Sequence, residues 1–132
     1  MLLDTSGMLC LHHRAEPLHE VACHAYRNRA AFLTHGHVLA EFVALAQTRR
    51  LPRLPALSFI SDLLANPDIT TVWVDRGLHD AAMTLLMNRS DKAYLLCDAV
   101  SFVLMRKFGI DDALTTDRHF VQEGFRRLLE VT

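Results

Sequence analysis

Four carboxylates sit where a folded chain rarely leaves a charge without a partner. Asp98 lies in Tyr94-Leu95-Leu96-Cys97-Asp98-Ala99-Val100-Ser101-Phe102-Val103-Leu104-Met105, apolar nearly all round and so patterned as a helix packed inside a domain. An ionised carboxylate buried alone is very costly, so Asp98 requires a metal, a cation, a helix N-terminus or a second carboxylate sharing its proton. Asp4 follows the apolar run Met1-Leu2-Leu3, and Asp117 follows Ala113-Leu114-Thr115-Thr116. Glu41 is a lone acid in Val38-Leu39-Ala40-Glu41-Phe42-Val43-Ala44-Leu45-Ala46. A site of oxygen donors alone suits a hard cation, Mg²⁺ or Mn²⁺, which a few carboxylates hold while leaving waters for substrate phosphates to displace. Each acid also has a plainer use. Asp98 can cap a helix or pair with a cation, Asp4 and Asp117 can be turn residues or caps, and Glu41 can complement a helix dipole from the first turn. Taken together, the four acids weaken the capping reading.

Short elements separated by turn residues must position these acids. Residues 1–5 read as a buried strand ended by Ser6-Gly7, and Pro17 opens a helix with apolar spacing to about 31. A second strand is expected over 31–34, broken by His35-Gly36 before a helix at about 38–49. Pro52 and Pro55 punctuate the next junction, and Leu57, Ile60, Leu63 and Leu64 form a helical stripe closed by Asn66-Pro67. The β-branched run 69–74 is a strand, helices follow at about 78–87 and 95–108, and Gly109 suits a C-cap. A strand over 112–116, a short helix at 119–123 and a last strand at 126–129 complete the chain. Strands alternating with helices, each apolar enough to be covered on both faces, predict an α/β domain with a mainly parallel sheet. An open parallel sheet binds ligands outside the carboxyl ends of its strands, where Asp4 and Asp117 fall.

With 132 residues the chain is read as a single domain, 1–132. Hydrophobic residues at 51% and charged residues at 22% exclude a disordered chain. Lys and Arg number 14 against 15 Asp and Glu, so any contact with a polyanion must be local. Cys10, Cys23 and Cys97 have no CxxC spacing and leave an odd thiol, which points to a reduced, cytoplasmic setting. No secretory signal or membrane span is expected. Eight histidines form neither HExxH nor a Cys/His set, which argues against zinc. Arg49, Arg50 and Arg53 form a basic cluster able to meet phosphates, or simply a solvated helix end. Asp91, Asp111 and Asp112 read as turn or cap residues, with Asp91 the best placed of them to support the site by hydrogen bonding.

Leu3-Asp4-Thr5-Ser6, Val38-Leu39-Ala40-Glu41, Asp91-Lys92 with Asp98 and Ser101-Phe102, and Leu114-Thr115-Thr116-Asp117-Arg118-His119-Phe120 resemble the successive acidic motifs of PIN-domain ribonucleases. Within that family the chain is most similar to the VapC-type toxins of bacterial toxin-antitoxin pairs. The resemblance spans almost the whole chain. It implies a three-layer fold with a mainly parallel central sheet flanked by helices and a Mg²⁺ or Mn²⁺ site. Asp4, Glu41, Asp98 and Asp117 take the family's acidic positions, Ser6 its nearby hydroxyl position, and His119 a position common in the subtype, to touch RNA or orient a carboxylate. One departure stands out: the subtype usually carries Ser and Thr just ahead of the third acid, where this chain has Leu95-Leu96-Cys97.

These readings converge on a metal-dependent endoribonuclease, with Asp4, Asp98 and Asp117 on the ion and Glu41 binding it or orienting the attacking water. The resemblance further implies 5′-phosphate and 3′-hydroxyl products, a cognate antitoxin and a homodimer. A second reading keeps the acidic pocket in a weak or inactive RNA- or protein-binding module. Phosphotransfer through Asp4 is a third, opposed by the lack of a second Asp in Asp4-Thr5-Ser6.

Overall fold

The structure, a computed structural model, describes residues 1–130. Strand β1 (Leu2–Leu3) lies at the middle of a five-stranded sheet, between β2 (Phe32–His35) and β4 (Asp112–Leu114). Beyond them are β3 (Ile69–Val72) and β5 (Arg126–Arg127), giving the order β3-β2-β1-β4-β5 with every pairing parallel. This is the expected α/β architecture with a parallel central sheet. Alternation along the strands explains why both faces are covered. Leu3, Phe32 and Leu114 enter one apolar cluster, while Leu2, Leu33 and Ala113 enter the other.

Four helices cover the first face: α1 (Thr5–His12), α2 (His19–Arg27), α3 (Gly36–Thr48) and α4 (Arg53–Ala65). The second face is covered by α5 (Arg76–Asn88), α6 (Leu96–Phe108) and α7 (His119–Gln122). Helix α5 starts at an Asp75 cap whose carboxylate accepts the Leu78 amide. Helix α6 ends at Gly109, with φ +65°, as expected of a left-handed C-cap. Among the described residues no helix is long and apolar enough to cross a membrane.

Two expectations are corrected. Ser6-Gly7 is not a turn: the chain passes from β1 straight into α1. A side chain at position 7 would overlap the carbonyl oxygen of Leu114, so glycine is needed there for the close approach of α1 to β4. The strand expected over 112–116 stops at Leu114 because the next amides find side-chain partners. Thr116 N–H donates to Ser6 Oγ at 2.9 Å and Asp117 N–H to Thr115 Oγ1 at 3.0 Å.

Buried ion pairs set the remaining geometry. Asp112 is a strand residue, paired with Arg29 at 2.6 Å and bonded to Arg126 Nε at 2.6 Å, at the end of the sheet away from the acids. Glu123, just after α7, accepts from Arg89, Arg106 and Tyr94 and ties α7 to α5 and α6. The segment carrying His119 is thereby fixed.

Candidate metal centre

Asp4 leaves the carboxyl end of β1 and precedes the first turn of α1. Its Oδ2 accepts the Thr115 hydroxyl at 2.7 Å, a bond joining the ends of β1 and β4. Thr115 also receives the Asp117 amide and lies 3.2 Å from Ser6 Oγ. This hydroxyl relay escaped the sequence reading, although Thr115-Thr116 directly precedes Asp117.

Asp98 arrives from the other side, in the first turn of α6. Its Oδ2 accepts the Leu95 amide at 2.9 Å, so it caps the helix and faces the cluster at once. His119 Nδ1 lies 3.2 Å from that same oxygen and 3.3 Å from Asp117 Oδ1. The imidazole Nδ1 therefore faces a carboxylate oxygen of each acid. One ligand atom each from Asp98, Asp117 and His119 lies within 4.8 Å of the other two. Sequence reasoning placed His119 near the site but did not foresee its position between the two acids.

Asp4, Ser6, Glu41, Asp98 and Asp117 line one cleft of about 340 Å³ at the carboxyl edge of the sheet. Glu41 is absent from the first turn of α3, which removes the helix-dipole explanation for it. Leu95, exposed, forms part of the cleft rim where the resemblance implies a hydroxyl. Asp91 is exposed and pairs with Lys92 at 3.7 Å, so it has no part in the cleft lining. Arg49 is occupied by Glu16 at 2.8 Å.

Electrostatics follow from burial and crowding. Burial pushes Asp4 up to about 7, helped by the charges of Asp98 and Asp117 and opposed by the Thr115 hydroxyl. Asp98 is raised by burial and then by Asp117, against the Leu95 amide and His119. Burial, with the Glu41 carboxylate next in importance, also raises the Cys97 thiol. His35, in line with Asp4 across the sheet, is pushed down to about 3 by burial and is therefore neutral; its Nε2 meets Ser101 Oγ at 2.8 Å.

A divalent cation fits this donor set. It would relieve the mutual repulsion that, with burial, raises Asp4 and Asp98. Thr5 lines the same cleft, and its buried hydroxyl has no hydrogen-bond partner among the described residues.

Comparison with known proteins gives a consistent result. A model of the PIN domain matches residues 1–125. The 23S rRNA-specific endonuclease VapC20 of Mycobacterium tuberculosis, in strains CDC 1551 / Oshkosh and H37Rv, is 28% identical over 126 residues, 95% of each chain. The crystal structure of Mycobacterium tuberculosis VapC20, described as a sarcin-ricin loop cleaving toxin, matches with a TM-score of 0.85 and 27% identity over 95% of each chain.

Proposed function

This chain belongs to the PIN-domain family, and from that membership we propose that it is a divalent-metal-dependent endoribonuclease, the toxin of a toxin-antitoxin pair in the cytoplasm. The observation that carries the reading is the convergence of Asp98 and Asp117 with His119, at a cleft that the two acids line together with Asp4 and Glu41. Asp4, Asp98 and Asp117 would hold Mg²⁺ or Mn²⁺, with Glu41 at the edge of the site and His119 beside it. When bound, the ion supplies charge stabilisation at the scissile phosphate and makes a nearby water more acidic.

The protein's own groups supply the rest. Glu41 orients the attacking water. Thr115 holds Asp4 in place, and the Leu95 amide and His119 do the same for Asp98. Water oxygen joins phosphorus as the bond to O3′ breaks, and O3′ takes a proton. The products are a 5′-phosphate and a 3′-hydroxyl.

RNA is the substrate class. The sarcin-ricin loop of 23S rRNA, which the mycobacterial relative is described as cleaving, is the first target to test. The antitoxin is expected to place an Arg among the carboxylates, where a bidentate pair replaces the ion's charge. If no Arg-to-Ala change in the antitoxin weakens inhibition, that mode of inhibition is wrong. For the enzyme, cleavage should require Mg²⁺ or Mn²⁺ and be abolished in folded Asp4→Asn and Asp98→Asn. Undiminished cleavage by either variant, or by wild type in excess EDTA, overturns the metal mechanism. A folded wild type that binds RNA without cutting it favours the inactive binding module.

A further inference from the structure

Trp73 is the single tryptophan of the chain and is 63% exposed, an unusual exposure for so large an apolar side chain. It immediately follows β3, at the same sheet edge that carries the acids. The strand register fixes its place. Val72 pairs with His35, and Leu2 pairs with Leu33, which puts Asp4 level with His35 and Val72. Two strand spacings then separate the ends of β1 and β3, roughly 10 Å. A short run of unstacked nucleotides leaving the acidic cleft covers that distance.

The indole is braced rather than loose. A Cβ on Gly36, the first residue of α3, would lie 3.1 Å from Trp73 Cε3 and 3.4 Å from Cζ3, so the six-membered ring rests against a position without a side chain. Lys107 lines the same shallow groove and offers a cation for phosphate. Asp75 lies there too, but one of its oxygens is committed to the Leu78 amide as a helix cap.

We infer that Trp73 is a stacking platform for a base of the RNA strand, one or a few nucleotides from the scissile phosphate that the cation would meet beside Asp4, Asp98 and Asp117. This rests on the ribonuclease reading and deepens it by naming a positioning residue outside the cleft. A protein of net charge −1 with an acidic site has little general attraction for RNA, so stacking is a physically sensible way to hold the strand.

Because Trp73 is the only tryptophan, its fluorescence reports on the site alone. Wild type in excess EDTA at low salt is titrated with single-stranded oligoadenylate and with an abasic ribose-phosphate strand of equal length. Quenching by the first and not by the second is expected. Equal quenching by both, or by neither, overturns the platform, as does an emission shift that follows protein concentration without RNA, which would assign Trp73 to contact between copies. With Mg²⁺ and the same RNA, Trp73→Ala should lower kcat/KM roughly 5- to 150-fold through KM, with kcat retained, and Trp73→Phe should recover much of the loss. Melting temperatures of both variants should stay near that of wild type. Unchanged KM in a folded Trp73→Ala overturns the inference even if cleavage is robust. Base-dependent quenching without cleavage by wild type counts against the nuclease reading alone.

Discussion

The Thr115 hydroxyl donates to Asp4 Oδ2 at 2.7 Å while accepting the Asp117 amide at 3.0 Å, so one buried side chain sets the positions of two acids on different segments. Thr115→Val keeps the shape and removes both bonds. It is expected to weaken Mg²⁺ binding by about 10- to 100-fold, the usual effect of losing a group that orients a metal ligand. Loss of stability should be about 1 to 3 kcal/mol, since the Asp117 amide and Asp4 lose a partner in a buried setting. Thermal melts against Mg²⁺ concentration measure both quantities, and an unchanged Mg²⁺ dependence would show the relay to be incidental.

Gly7 controls the same edge by sterics. Its missing side chain lets α1 lie on the Leu114 carbonyl, and Asp4 and Ser6 flank that contact. Gly7→Ala is expected to cost about 1 to 3 kcal/mol or more, as overpacking of a close backbone contact does. Rearranged NMR signals of Thr115 and Asp117 should accompany it. A Gly7→Ala protein that melts with wild type and keeps full Mg²⁺ affinity would refute this account.

Much of this arrangement was legible from residue order. The apolar run ending at Asp4 marks one strand end, the run before Asp117 marks a second strand that stops short at Leu114, and the acid inside 94–105 marks a helix packed against them. Helix α1 was not legible because Ser6-Gly7 has the composition of a turn, and only the packing of Leu114 reveals why glycine is there. The roles of Thr115 and His119 depend on distances across separate segments, which no local spacing encodes. Glu41 stands out in the sequence as a lone acid among apolar neighbours, but its place beyond the first turn depends on the start of α3 at Gly36.

Cysteine reactivity offers a test of local packing. Cys10 and Cys97 are buried, while Cys23 is partly exposed. Burial pushes the Cys10 thiol up to about 11 and also raises Cys97, which has Glu41 beside it. Thiolate is the reactive form, so only Cys23 should react readily with a thiol reagent in the native protein. The other two should follow only on unfolding. Fast labelling of native Cys97 would mean that α6 does not bury it against the cleft.

Acid pH should stabilise the protein in the absence of metal, an inversion of the usual carboxylate behaviour. Asp4 is held up to about 7 by burial and by its acidic neighbours, and Asp98 is raised in the same direction. An unfolded Asp titrates near ~3.9, so between pH ~4 and ~7 the native state binds more protons than the unfolded chain. Stability therefore falls as pH rises through that window, by about 4 kcal/mol at most for Asp4. Asp112 and Glu123 act oppositely: their arginine partners lower both, so their contribution is lost only on acidification toward and below pH ~4. Melts in EDTA should thus peak at mildly acidic pH. Asp4→Asn should flatten the decline toward neutrality, and Asp98→Asn should raise the neutral melting temperature if its amide oxygen still accepts the Leu95 N–H. Mg²⁺ binds the ionised cluster, so it should stabilise wild type most at the alkaline end of the window and flatten the profile there. A metal-free wild type whose stability rises steadily from pH ~5 to ~8, with no response to Mg²⁺, would mean that the acids are ordinary caps and ion-pair partners with depressed pKa values.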